Sequence, residues 1–150
     1  MQTIIKSFEE LTTTELYELL KLRAEIFVVE QDCVYNDLDN NDQIAHHLMI
    51  IEDDLIVGYA RMLNVGTRFP KASIGRLVVA KEARFKGIAR KVMTEAANWM
   101  KENWELDSIH ISAQKYLKAF YGSLGYEIVT EEYLEDGIPH LGMDLYLGNK

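Results

Sequence analysis

The succession at residues 77–89 constrains this chain more than any other feature: an apolar run, a polar connection with one glycine, and the start of an amphipathic helix. The run from Ser73 closes on the β-branched pair Val78 and Val79, the composition of a well-buried strand. Ile88, Val92, Met93, Ala96 and Met100 then fall on one helical stripe, which predicts a helix beginning near Gly87. A helix start leaves its first N–H groups without intrahelical acceptors, and an anion set there is stabilised by those donors and by the helix dipole. Gly87 removes the Cβ that would keep an anion at a distance, Ala89 keeps the next turn small, and Arg84 and Lys86 bring positive charge. The pattern suits a phosphate ester, and on spacing alone it suits equally well a set of solvated basic residues at an ordinary helix start. It has neither the Gly-Lys-Ser/Thr of a nucleoside-triphosphate loop nor the three glycines of a dinucleotide fold.

The rest of the chain supplies partners for that strand and helix. Residues 2–8 alternate weakly, as an edge strand does. Thr12 and Glu15 have capping-box spacing, and Leu16, Leu19, Leu20, Arg23 and Phe27 continue at helical spacing, which predicts a helix ending near Val29. Residues 30–41 are polar and turn-rich, a loop or a broken helix. Residues 47–52 and 55–64 read as two strands of an antiparallel hairpin turned by Asp53 and Asp54, and Pro70 marks the next turn. A strand over 108–113, a helix over 116–124 stopped by Gly125, and strands over 127–132 and 141–147 separated by Asp136, Gly137 and Pro139 complete the reading. Strands separated by helices imply an α/β domain whose partly parallel sheet is covered on both faces, and the hairpins make that sheet mixed. At 150 residues, one domain over 1–150 is the expected organisation, because two would each have a marginal core.

Charge and cysteine usage exclude several classes. With 24 acidic and 16 basic residues the net charge is -8, a field that disfavours a nucleic-acid partner. Lys81, Arg84, Lys86, Arg90 and Lys91 cluster, whereas residues 25–42 hold no Lys or Arg, a contrast between one anion-binding face and one acidic face. The longest apolar runs, 48–51 and 77–80, are far too short to span a bilayer, and no apolar segment of signal-peptide length opens the chain, so a cytoplasmic protein without a membrane partner is expected. The single cysteine, Cys33, allows no internal disulfide and reads as a packed small side chain. His46, His47, His110 and His140 lack the spacing of a metal motif, so no metal is expected.

Arg84, Gly87 and Ala89 match the R-x-x-G-x-G/A pyrophosphate motif, and on these residues the chain resembles the GNAT superfamily of N-acetyltransferases. The resemblance narrows to its ElaA-type subfamily through Arg23, Phe27 to Gln31, the strand end Ser112, Ala113 and Gln114, and the block from Leu134 to Met143. It implies the acyl-CoA N-acyltransferase fold, with a mixed, largely antiparallel central sheet, helices on both faces and a splayed pair of parallel strands. It further implies acetyl-CoA as cosubstrate. The pantetheine arm would lie along Leu77, Val78 and Val79, and the pyrophosphate on Arg84, Phe85, Lys86, Gly87, Ile88 and Ala89. Arg90, Gln114 and Tyr121 complete the expected binding set.

Acetyl transfer to an amine requires a neutral amine, a donor for the carbonyl oxygen and a proton for the departing thiolate. Tyr121 lies in a segment, 120–126, that resembles the family's F-Y-x-x-x-G-F/Y block, which implies the general acid; a phenol with a pKa of about 10 stays protonated near neutrality. The base is open among His47, His140 and Glu30, with His46 and Asp136 further alternatives, and the glutamate that many relatives carry beside the cofactor strand is absent. Glu30, Asp37, Asp39, Asp42, Glu132, Glu135 and Asp136 either line an acidic acceptor end or form a solvated face. The expected activity is acetyl transfer to a small-molecule amine or an exposed amino group of a peptide; the alternative is a noncatalytic acyl-CoA binding or regulatory protein on the same fold. A homodimer through the late strands is compatible with the sequence.

Overall fold

Period-two alternation along the third strand sorts the helices onto two faces. The computed structural model describes residues 1–148, with strands β1 (Gln2–Ser7), β2 (His46–Glu52), β3 (Leu55–Leu63), β4 (Ser73–Val79), β5 (Ser108–Gln114), β6 (Glu127–Ile128), β7 (Tyr133–Glu135) and β8 (Ile138–Tyr146). The helices are α1 (Thr13–Arg23), α2 (Ile88–Asn103) and α3 (Lys118–Ser123). On β3, Gly58 faces α2: a Cβ there would stand 2.6 Å from Ile88 Cγ2 and 3.2 Å from Val92 Cγ2. Only glycine permits that approach, which sets the depth at which α2 lies on the sheet. Tyr59 points to the opposite face, where the guanidinium of Arg23, the last residue of α1, lies 5.9 Å from its ring centroid.

One eight-stranded sheet results, in the order β1-β2-β3-β4-β5-β8-β6, with β7 beside β8. Every pairing is antiparallel except β4 with β5, and that parallel pair shares the single register Ser73↔His110. His110 N–H donates to Ala72 C=O at 2.8 Å, and beyond this point the two strands diverge. The mixed sheet, its two helical layers and the splay therefore match the sequence expectation.

Four local expectations are revised. The Thr12–Glu15 capping box is present, but past Arg23 the first helix continues as a π-helical segment, Ala24–Glu30, because apolar spacing does not separate α from π winding. The helix expected over 116–124 is a 3₁₀ turn, Lys115–Leu117, followed by α3. Only Glu127–Ile128 pairs early in the expected strand 127–132, and Pro139 lies inside β8 rather than in the connection. That proline is tolerated because β5 pairing ends at His140, so no β5 neighbour requires its missing N–H. The β7–β8 turn is made by Asp136 and Gly137, both left-handed at φ 53° and 77°.

Candidate functional site

The splay opens a cleft of about 820 Å³ between β4 and β5. Tyr59 opposes Val78 while Arg61 opposes Gly75, so β4 spends three steps against two on β3: it carries a bulge. Arg76 takes the left-handed conformation there, at φ 56°, and its side chain is held by Asp37 through Nε to Oδ1 at 2.7 Å and Nη2 to the carbonyl oxygen at 3.0 Å. Beyond the bulge, Ala80 N–H donates to Val57 C=O at 2.9 Å. Alternation along the strand then turns the Val79 peptide groups away from β3, toward the cleft, where β5 no longer pairs.

At one end of the cleft α2 begins. Gly87 caps it at φ 77° with no side-chain cap bond, and a Cβ at that position would meet nothing within 4 Å. Sixteen residues of helix thus present unpaired first-turn N–H groups to open space, a fit for a phosphate or pyrophosphate. Arg84 and Arg90 flank the opening, Arg90 bonded through Nη2 to Ser123 Oγ at 2.8 Å. Of the expected cofactor contacts, Leu77, Val78, Val79, Arg84, Phe85, Gly87, Ile88, Ala89, Arg90, Gln114 and Tyr121 all line the cleft. Lys86 is exposed and lies outside that lining.

The chemical candidates separate clearly. Tyr121 is buried at 7% exposure against Phe120 and Tyr126, and burial, with a lesser effect of Tyr116, raises its hydroxyl above the ordinary tyrosine range, so it stays protonated. His140 lines the cleft, stacks on Tyr133, and donates its Nδ1–H to Ile138 C=O at 2.7 Å. A carbonyl can only accept, so in the neutral ring Nε2 carries the lone pair. Glu30 also reaches the cleft, but both its oxygens are taken by Arg84 at 2.6 and 2.7 Å, and those bonds hold its carboxyl below the usual glutamate range. It is a poor proton acceptor.

His47 is not brought to the cleft. It is fully buried on the α1 face, with Nδ1 2.6 Å from the Tyr59 hydroxyl and Nε2 2.9 Å from Asp42 C=O, and burial lowers its pKa. His46 packs on Trp99 and Trp104 at the α2 face. The acidic stretch divides likewise. Asp37, Asp39 and Asp42 bind Arg23, Arg61 and Arg76 beneath the cleft, whereas Glu135 and Asp136 line it. Glu132 pairs with Lys115 at the surface. Among the described residues, no three His, Cys, Asp or Glu side chains converge to hold a metal ion, and no helix is long and apolar enough to cross a membrane.

Sequence reasoning missed the polar network at the far end of the cleft. Ser112 Oγ on β5 meets the Tyr133 hydroxyl and donates to Glu135 Oε1 at 2.9 Å, and Glu135 Oε2 is 3.0 Å from Arg68 Nη2. Burial alone would raise the Glu135 carboxyl, but Arg68 and Ser112 outweigh it and hold the group below its ordinary value. Alternation on β5 was the available signal, since Ser112 and Gln114 share a face of the strand and both line the cleft.

Comparison with known proteins agrees with this geometry. The family model described as an acetyltransferase (GNAT) domain matches residues 13–147. Protein ElaA of Escherichia coli K12 is 38% identical over 136 residues, covering 89% of each chain. A crystal structure of an acyl-CoA N-acyltransferase from Pseudomonas aeruginosa superposes with a TM-score of 0.90 at 39% identity, covering 97% of this chain and 99% of that one. The Escherichia coli ElaA crystal structure gives 0.89 at 34% identity, with the same coverage.

Proposed function

Because the chain belongs to the GNAT acetyltransferase family, in its ElaA-type branch, we propose that it moves an acetyl group from acetyl-CoA to a primary amine by direct attack, without a covalent enzyme intermediate. The observation that carries this reading is a continuous cleft on which an uncapped helix start, a protonated tyrosine and a histidine with a free Nε2 all open. Acetyl-CoA supplies the electrophile, a thioester carbon activated by a sulfur leaving group. The α2 N-terminus, with Arg84 and Arg90 beside it, holds the anionic end. Turned away from β3, the Val79 N–H is a fixed donor for oxygen charge that develops as an amine attacks. Nε2 of His140 takes the amine proton, directly or through water, and the Tyr121 hydroxyl gives its proton to the sulfur.

The test measures CoA release with acetyl-CoA and a panel of amines. Tyr121→Phe and His140→Gln should each lower kcat by about 10²-fold or more, with acetyl-CoA affinity within about twofold of wild type. Full turnover in both variants would remove the assigned roles. Tight acetyl-CoA binding without CoA release across a broad panel would instead identify an acyl-CoA binding protein.

A further inference from the structure

The acceptor end of the cleft carries a cation for which a plain cationic amine has no use. Arg68 lines it with its side chain 27% exposed, its Nη2 paired to Glu135 and its guanidinium 4.8 Å from the Phe69 ring centroid. Glu135 is itself held by Ser112 at 2.9 Å. Both charges are therefore supported by neighbouring groups, Arg68 by an aromatic ring and Glu135 by a β5 hydroxyl. The ion pair occupies one terminal nitrogen of Arg68, and a guanidinium fork has further N–H donors for a planar anion. His140 and Asp136 line the same cleft.

A chain with eight more acids than bases has no shortage of carboxylates to attract a simple ammonium. Paired to Glu135, Arg68 adds no attraction for such a substrate, yet its unpaired N–H edge still offers donors to a carboxylate. Resting on the acetyl-transfer reading, we infer that the acceptor is a small amino acid carrying both amine and carboxylate, with Arg68 as its specificity-determining residue. The substrate carboxylate binds the open N–H edge of Arg68. Its ammonium meets Glu135 and Asp136 and loses one proton to Nε2 of His140, and the neutral nitrogen attacks the thioester carbon. As the C–S bond breaks the freed thiolate takes the Tyr121 proton, and the second nitrogen proton, lost as the amide forms, restores the Tyr121 hydroxyl through water, so the products are an N-acetyl amino acid, CoA and the one proton held by His140.

Matched acceptor pairs test this: lysine against cadaverine, ornithine against putrescine, and β-alanine against ethylamine, each with wild type and Arg68→Gln. At least one amino acid should exceed its carboxylate-free partner about tenfold in wild-type kcat/KM, the effect expected of one charge-assisted pair. Arg68→Gln should erase that preference mainly through KM, with the carboxylate-free partner turned over at or above the wild-type rate because Glu135 loses its competing cation, and that retained turnover also reports that the variant is folded. Equal or better turnover of the carboxylate-free amines by wild type overturns the inference while acetyl transfer stands. An equal loss on both members of a pair overturns it too, because Arg68 would then act on any ammonium rather than on a carboxylate. No CoA release with any member removes the acetyl-transfer reading and this inference together.

Discussion

Replacing Arg23 by methionine tests whether the buried ionic network holds the floor of the cleft. Arg23 has 0% exposure and makes three bonds: Nε to Asp37 Oδ2 at 2.9 Å, Nη1 to Asp42 Oδ1 at 2.7 Å, and Nη2 to Asp37 C=O at 3.1 Å. Methionine fills much of the volume of the arginine stem, so the dominant cost is the two carboxylates left short of a donor. Removing one partner of a buried pair costs about 3–5 kcal/mol. Asp37 keeps Arg76 and Asp42 keeps Arg61, so neither acid is fully stranded and the lower end, about 3 kcal/mol, applies. For a domain of this size that corresponds to a fall in Tm of roughly 6–12 °C. Urea unfolding followed by the fluorescence of Trp99 and Trp104 measures it. Adding Asp42→Asn to the variant should return about 1 kcal/mol or more, since the acid deprived of Arg23 is then neutral. A loss below about 1 kcal/mol in the single variant, or no recovery in the double, would refute the account of this network.

Acid should destabilise the protein in two stages. Burial holds His47 neutral with its pKa below about 6.5, so the unfolded chain binds the extra proton and stability falls as pH drops below that value. Asp42 and Asp39 are held below the usual range, arginine bonds outweighing burial at each, and their contribution, full above about pH 4, is lost on further acidification. A urea midpoint that stayed flat from about pH 7 to pH 4 would contradict the first sign, and one that stayed flat on acidification below about pH 4 would contradict the second. Gly58→Val should cost about 1–3 kcal/mol and weaken CoA binding measured by calorimetry, because the added carbons meet Ile88 and Val92 and push the start of α2 off the sheet. Unchanged stability and affinity would show that α2 is not seated by that contact.

The strand, loop and helix were legible because each is a local pattern: β-branched residues closing a strand, one glycine, and an apolar stripe at helical spacing. The bulge in β4 was not, since one extra residue in a seven-residue strand leaves no periodic trace, and the conformation of Arg76 is secured by Asp37 from 39 positions away. His47 and His140 looked alike as histidines near strand starts. What separates them is the face to which the pleat turns each ring, and that depends on register. The acids at 37, 39 and 42 read equally as solvated charge. Arg23 carried the missing signal, because a guanidinium on the apolar stripe of a helix requires buried carboxylates to meet it, and no nearer segment is as rich in them.

That pairing decides which charges a substrate meets. The acids of the loop over residues 30–41 read either as part of an acidic attractant for an amine or as a solvated face, yet Asp37 and Asp39, together with Asp42 just beyond it, are committed to three arginines under the sheet and the bulge. Committed carboxylates are largely neutralised at a distance, so on the proposed reading the charges an acceptor would meet at close range are those on the cleft walls, the Arg68–Glu135 pair and Asp136. Those walls belong to the β7–β8 hairpin and the connection before β4. On the proposed reading, the parts that would select the acceptor are thus separable from the β4 bulge and the α2 start that would hold the cosubstrate, and a change at Arg68 should alter which amine is chosen without disturbing how the thioester is held.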